Sequence, residues 1–145
     1  MPEAPIEVLL VEDDPNDVEM TLYAFEQHHL SNRVHVVRDG AEALDFVYGT
    51  GPYAGRTGNL KVILLDLKLP KVDGVEVLRR LKSDPRTRAI PVVVLTASRE
   101  ERDRVQTYEL GVNSYLVKPI DFVKFTAAVG QVGLYWLLLN QPVPH

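Results

Sequence analysis

Apolar residues fall into five short runs along the chain, with stretches of helical spacing between them. The runs are Ile6 to Val11, Val34 to Val37, Val62 to Leu65, Val92 to Leu95 and Tyr115 to Val117. Runs of this length, rich in β-branched residues and Leu and bounded by turn residues, predict strands. Their alternation with helical segments predicts βαβ units and a parallel sheet. The first, third and fourth are nearly all apolar, as central strands covered by helices on both faces should be. The second is more polar.

Helix starts agree with this layout. Asp14-Pro15 sets an N-cap before a proline at the first helical position. Asp39-Gly40 precedes a short helix beginning at Ala41. A helix from Val75 to Lys82 starts after Asp73-Gly74 and stops before Asp84-Pro85. Ser98 and Glu101 have the spacing of a capping box. The Gly-rich stretch from Gly49 to Asn59 reads as a surface loop. Near the C-terminus Phe122, Phe125, Val129, Val132, Trp136 and Leu139 recur at spacings of three and four, which is one helical face. Leu134, Tyr135, Leu137 and Leu138 carry apolar surface round the other sides, although Gly130 and Gly133 weaken the helix. A helix apolar all round should be buried all round, so the expectation is a homodimer built through this C-terminal helix.

The chain has 145 residues and a net charge of −4, with no cysteine. That length suits one domain, and the pattern occupies residues 1–145, leaving no room for an output domain. Disulfides and thiolate metal sites are excluded. An acidic chain with no basic block is a poor nucleic-acid binder. No apolar run is long enough to span a bilayer, and the N-terminus has no signal-peptide pattern. The expected location is cytoplasmic, with neither nucleic acid nor membrane as a partner.

In an open parallel α/β sheet, ligands bind beyond the carboxyl ends of the strands. There the sequence places Glu12, Asp13 and Asp14 after the first strand, Asp66 after the third, Thr96 after the fourth and Lys118 after the fifth. Clustered carboxylates repel one another unless a cation is present. Mg²⁺ suits such a site, because it takes few carboxylates, keeps several waters and shares phosphate oxygens. A carboxylate nucleophile, a metal and fixed donors together match phosphoryl transfer. Taken singly, each residue has a plainer reading: Asp14 as a helix cap, Glu12 and Asp13 as solvated loop acids, Thr96 as a strand end, Lys118-Pro119 as a turn. Asp66 is harder to set aside, because a lone acid closing an apolar strand is costly without partners.

The segments LLVEDDPND at 9–17, ILLDLKLPKVDG at 63–74, VVVLTAS at 92–98 and GVNSYLVKPID at 111–121 resemble those of response regulator receiver domains, in the same order and spacing. The resemblance implies a flavodoxin-like α/β fold, a (βα)5 receiver with a five-stranded parallel sheet in the order 2-1-3-4-5. It implies a two-component response regulator, a signalling protein with no activity beyond its own phosphotransfer and slow dephosphorylation. A histidine kinase would be the donor and Asp66 the phosphate acceptor. Asp13 is then a direct Mg²⁺ ligand, Glu12 holds metal-bound water, and the Lys68 backbone carbonyl completes the metal site together with Asp66. Thr96 and Lys118 bond phosphoryl oxygens. Tyr115 is the switch aromatic, coupled through Thr96 to a surface of helix 4, strand 5 and helix 5 that meets an unknown downstream protein. The Lys118-Pro119 bond is expected to be cis. One departure is Glu12, where many relatives carry Asp. The loop at 49–60, the LDLKLPKVDG segment and the tail LYWLLL further resemble stand-alone regulators of phytochrome-type histidine kinases.

Other readings fare worse. A flavodoxin-type carrier needs a hydroxyl- and glycine-rich phosphate loop after the first strand, where this chain has three acids. A dehalogenase-type phosphatase needs an acid two residues after its nucleophile, where this chain has Lys68. A receiver-like interaction module independent of phosphorylation is the remaining alternative, and the joint presence of Asp66, Thr96 and Lys118 argues against it.

Overall fold

The computed structural model describes residues 8–27, 34–56, 60–96 and 114–118, together with 123, 124 and 127. The elements are β1 (Val8–Val11), α1 (Pro15–Glu26), β2 (Val34–Val37), α2 (Gly40–Tyr48), a 3-10 turn (Gly51–Tyr53), β3 (Val62–Asp66), α3 (Gly74–Ser83), β4 (Val92–Thr96) and β5 (Ser114–Val117). All neighbouring strands pair in parallel, in the order β2-β1-β3-β4-β5. This is the expected flavodoxin-like receiver topology.

The strands alternate between two cores. Val8 and Leu10 of β1, Val62 and Leu64 of β3, and Val93 and Leu95 of β4 pack with Phe25 on one face. Leu9 and Val11, Ile63 and Leu65, and Val92 and Val94 pack with α2 and α3 on the other. Side chains alternate sides along a strand, so a strand covered on both faces must be apolar at every position. That is why β1, β3 and β4 read as unbroken apolar runs. β2 lies at the sheet edge, and its first three residues are half-buried.

The strand ends are fixed by backbone bonds. Glu12 N donates to the Val37 carbonyl at 3.0 Å, and Lys118 N donates to that of Thr96 at 2.8 Å. β3 and β4 each run one residue past the apolar segment, so Asp66 and Thr96 are the last residues of their strands. The 49–59 loop contains the 3-10 turn, which Pro52 favours at its start and which follows a left-handed Gly49. Ile6, the capping box at Ser98, the Lys118-Pro119 bond and the residues of the apolar face, Phe122 to Leu139, lie outside the described residues; Val123, Lys124 and Ala127 are helical.

α3 approaches the end of β3 very closely. A Cβ on Gly74 would lie 2.3 Å from the Asp66 carbonyl oxygen, and Gly74 N donates to the Leu67 carbonyl at 3.0 Å. Backbone atoms cannot give way as a flexible side chain can, so Gly74→Ala should destabilise the fold by about 1–3 kcal/mol. Urea denaturation checks this, and an unchanged midpoint would contradict the close approach.

Candidate functional site

The local sequence places a rigid helix start beside the end of β1. The Asp14 side chain accepts from Asn16 N at 2.8 Å and Asp17 N at 3.3 Å, with Pro15 at the first helical position. This is the N-cap role expected of Asp14. The chain leaving β3 is held as tightly. Val72 N donates to the Pro70 carbonyl at 2.8 Å across Lys71, whose φ is 67°. That is the uncommon, strained form of the γ-turn. Gly40 N donates to the same carbonyl at 3.2 Å, so the loop after Asp66 rests on the start of α2.

An open cavity of about 600 Å³ at the carboxyl edge of the sheet is lined by Glu12, Asp13, Asp17, Asp66, Lys68 and Lys118, together with residues 14–16. Asp66 is 4% exposed and Glu12 1%. Lys118 Nζ lies 2.7 Å from Glu12 Oε2, 3.1 Å from Asp66 Oδ2 and 3.0 Å from Asp17 Oδ2. Asp66 Oδ1 accepts weakly from Lys68 N at 3.4 Å. Glu12 Oε1 accepts from Asp14 N at 3.1 Å. Glu12 Oε2 is buried and, among the described residues, has no aligned hydrogen bond, so its contact with Lys118 is one of charge.

The carboxylates repel as expected. Burial pushes Glu12 up to about 7, the Asp66 charge adds to this, and Lys118 opposes both. Burial likewise raises Asp66 against the pull of Lys118. Burial works against the charge of Lys118, but its contacts with Glu12 and Asp17 and the charge of Asp66 raise it overall.

Carboxylate oxygens of Glu12, Asp13 and Asp66 all lie within 4.8 Å of one another. Three hard oxygen donors, one on an exposed residue, with a buried oxygen lacking an aligned donor, fit a small divalent cation. The structure thus gathers Glu12, Asp13, Asp66, Lys68 and Lys118 round one cavity. Thr96 and Tyr115 do not line it. The Thr96 hydroxyl, fully buried, donates to the Leu116 carbonyl at 3.5 Å, and Tyr115 is half-buried against the core beside α2 and α3. Asp17 is absent from the expected set. Its signal lies in its position, two residues after the helix-starting proline, where the first turn faces the site.

The pattern of a response regulator receiver domain matches residues 8–130. The chain belongs to this family. Among similar proteins is the probable methanogenesis regulatory protein FilR2 of Methanothrix harundinacea, 42% identical over 140 residues, covering 96% of this chain and 88% of that protein. The structure of the bacteriophytochrome response regulator AtBRR is 54% identical, with a TM-score of 0.87, covering 97% of this receiver and all of that chain. The Mn(2+)-bound form of response regulator Rcp1 is 36% identical, with a TM-score of 0.74, covering 97% of the receiver and 100% of that chain. Receiver domains accept a phosphoryl group on an aspartate with a divalent cation, from a histidine kinase. They are signalling domains rather than classical enzymes. Among the described residues, no helix is long and apolar enough to cross a membrane.

The Glu12 shift has a definite consequence for stability. Its folded value of about 7 exceeds its ordinary 4.5, so the folded state binds the proton more tightly than the unfolded one. Its contribution to stability is fully present below the unfolded value and is lost as pH rises through the folded value. In metal-free buffer, Glu12→Gln should therefore match the wild type near pH 4 and melt higher near pH 8. Thermal denaturation at both pH values measures this, and a variant less stable at pH 8 would contradict the reading.

Proposed function

We propose that Asp66 is the phosphoryl acceptor of this receiver, with Glu12, Asp13, Asp66 and the Lys68 carbonyl as the Mg²⁺ site. The observation that carries this is the placement of Asp66: buried at the end of β3, 3.1 Å from Lys118 and grouped with Glu12 and Asp13. A bound Mg²⁺ would supply positive charge for the transferring phosphoryl oxygens. Burial disfavours the ionised Asp66 that must attack, and Lys118 offsets part of that penalty. The attack forms an O–P bond from Asp66 to the phosphohistidine phosphorus. The P–N bond breaks, its electron pair stays on the imidazole nitrogen, and that nitrogen takes up a proton.

The proposal extends to the output. Phosphoryl contacts would draw the Thr96 hydroxyl from the Leu116 carbonyl, and Tyr115 would follow, altering the surface beside β5. Two states separated by a few kcal/mol suffice for such a shift. The signal would pass by contact, with the receiver acting as a homodimer. Light signalling from a bacterial phytochrome is favoured over other inputs by the 54% identity with a bacteriophytochrome response regulator.

Asp66→Asn should abolish acid-labile labelling by a phosphohistidine donor, and labelling at the wild-type rate would refute the assignment. Asp13→Ala should weaken Mg²⁺ binding about ten-fold or more, since loss of even an indirect partner often has that effect; calorimetric titration gives the value, and an unchanged affinity would remove Asp13 from the site. A phytochrome-type kinase should phosphorylate the protein faster than unrelated kinases in matched time courses. Equal rates would remove the light-signalling assignment and leave the receiver reading intact.

A further inference from the structure

Lys118 faces three carboxylates, and they are not equivalent. Glu12 and Asp66 belong to the group that could hold a cation, and Asp17 does not. The bond from Lys118 Nζ to Asp17 Oδ2, at 3.0 Å, has true hydrogen-bond geometry, whereas the contact with Glu12 is one of charge. Asp17 is also well fixed. Its N–H donates to the Asp14 cap at 3.3 Å, and its carbonyl accepts from the buried Thr21 hydroxyl at 2.8 Å. In the first turn of α1, the helix dipole favours its negative charge.

We propose that Asp17 is a positioning residue, the carboxylate that keeps the Lys118 ammonium at the Asp66 pocket once Glu12 and Asp66 turn to a cation. This rests on the reading of the acidic cluster and Asp66 given above. An ammonium has three donors and no acceptor, and without a cation its three carboxylates share it. A dication among Glu12, Asp13 and Asp66 repels a neighbouring ammonium and takes up the charge of two of its partners. Asp17 then becomes the anchor that stops Lys118 from swinging into solvent. The Asp17–Lys118 bond therefore matters more with the cation bound than without it. Losing Asp17 penalises the cation-bound state, although Asp17 is not a ligand.

The test is a double-mutant cycle on the full chain, read by Mg²⁺ affinity and by the Lys118 ammonium ¹H–¹⁵N signal in NMR. Asp17→Asn should weaken Mg²⁺ binding about five-fold in the wild-type background and change it less than about 1.5-fold in Lys118→Met, because residues in one network couple. At saturating Mg²⁺ the Lys118 signal should persist in the wild type, broaden away in Asp17→Asn and return in part in Asp17→Glu. Equal weakening in both backgrounds would reduce Asp17 to a through-space charge, and an unchanged affinity in Asp17→Asn would give it no part at all. Either result overturns the proposal. Asp66→Ala serves as the control: if it binds Mg²⁺ like the wild type, the cation site itself is misplaced and the role of Asp17 falls with it. If the control loses Mg²⁺ and the cycle is flat, the role of Asp17 alone is overturned.

Discussion

The structure depends on the balance of charge where two strands of a parallel sheet deliver acids, and a third delivers a lysine, to one edge. A parallel sheet with helices on both faces leaves its strand ends as the natural place for polar chemistry, since everything between them is apolar core. Glu12 and Asp66 are almost fully buried there, and burial disfavours their charge. Lys118 offsets part of that penalty from the far side of β4, tied to the Thr96 carbonyl by its own backbone N–H. Among the described residues one ammonium serves three carboxylates, and that shortage of positive charge makes the edge receptive to a divalent cation.

Rigidity around this edge comes from neighbouring loops. The Asp14 cap fixes the first turn of α1, Gly74 lets α3 lie against the Asp66 backbone, and the strained turn at Lys71 is held by α2. Strain of this kind persists where the surroundings over-determine it. These contacts link the β3–α3 loop to α2, and through α2 to the 3-10 turn. There the Tyr53 hydroxyl donates to Glu42 at 3.0 Å and pairs with His35 Nε2 at 3.1 Å. Burial and the Glu42 carboxylate together push Tyr53 up to about 12, so this tie stays neutral at physiological pH.

Much of the fold was legible because two-sided burial writes itself directly into sequence. The unbroken apolar runs of β1, β3 and β4 could be read as central strands, and the Asp-Pro and Asp-Gly pairs marked where α1, α2 and α3 begin. The strand order came from family resemblance, since local pattern carries no information about which strands are neighbours. Asp66, Glu12, Asp13 and Lys118 were legible because each closes or follows a strand. Asp17 was not, because its role depends on a contact with a residue 101 positions away. The state of Thr96 was equally hidden: its bond to the Leu116 carbonyl depends on the pairing of β4 with β5.

The central claim is that this buried edge accepts a phosphoryl group on one particular carboxylate, with help from a divalent cation. Borohydride reduces an aspartyl phosphate to homoserine, which marks the acceptor without any mutation. The intact protein should be treated with acetyl phosphate with and without Mg²⁺, reduced with borohydride and mapped by peptide mass spectrometry. The account predicts homoserine at position 66 and only in the presence of Mg²⁺. Homoserine at position 13 or 17, or conversion at 66 that ignores Mg²⁺, would contradict it.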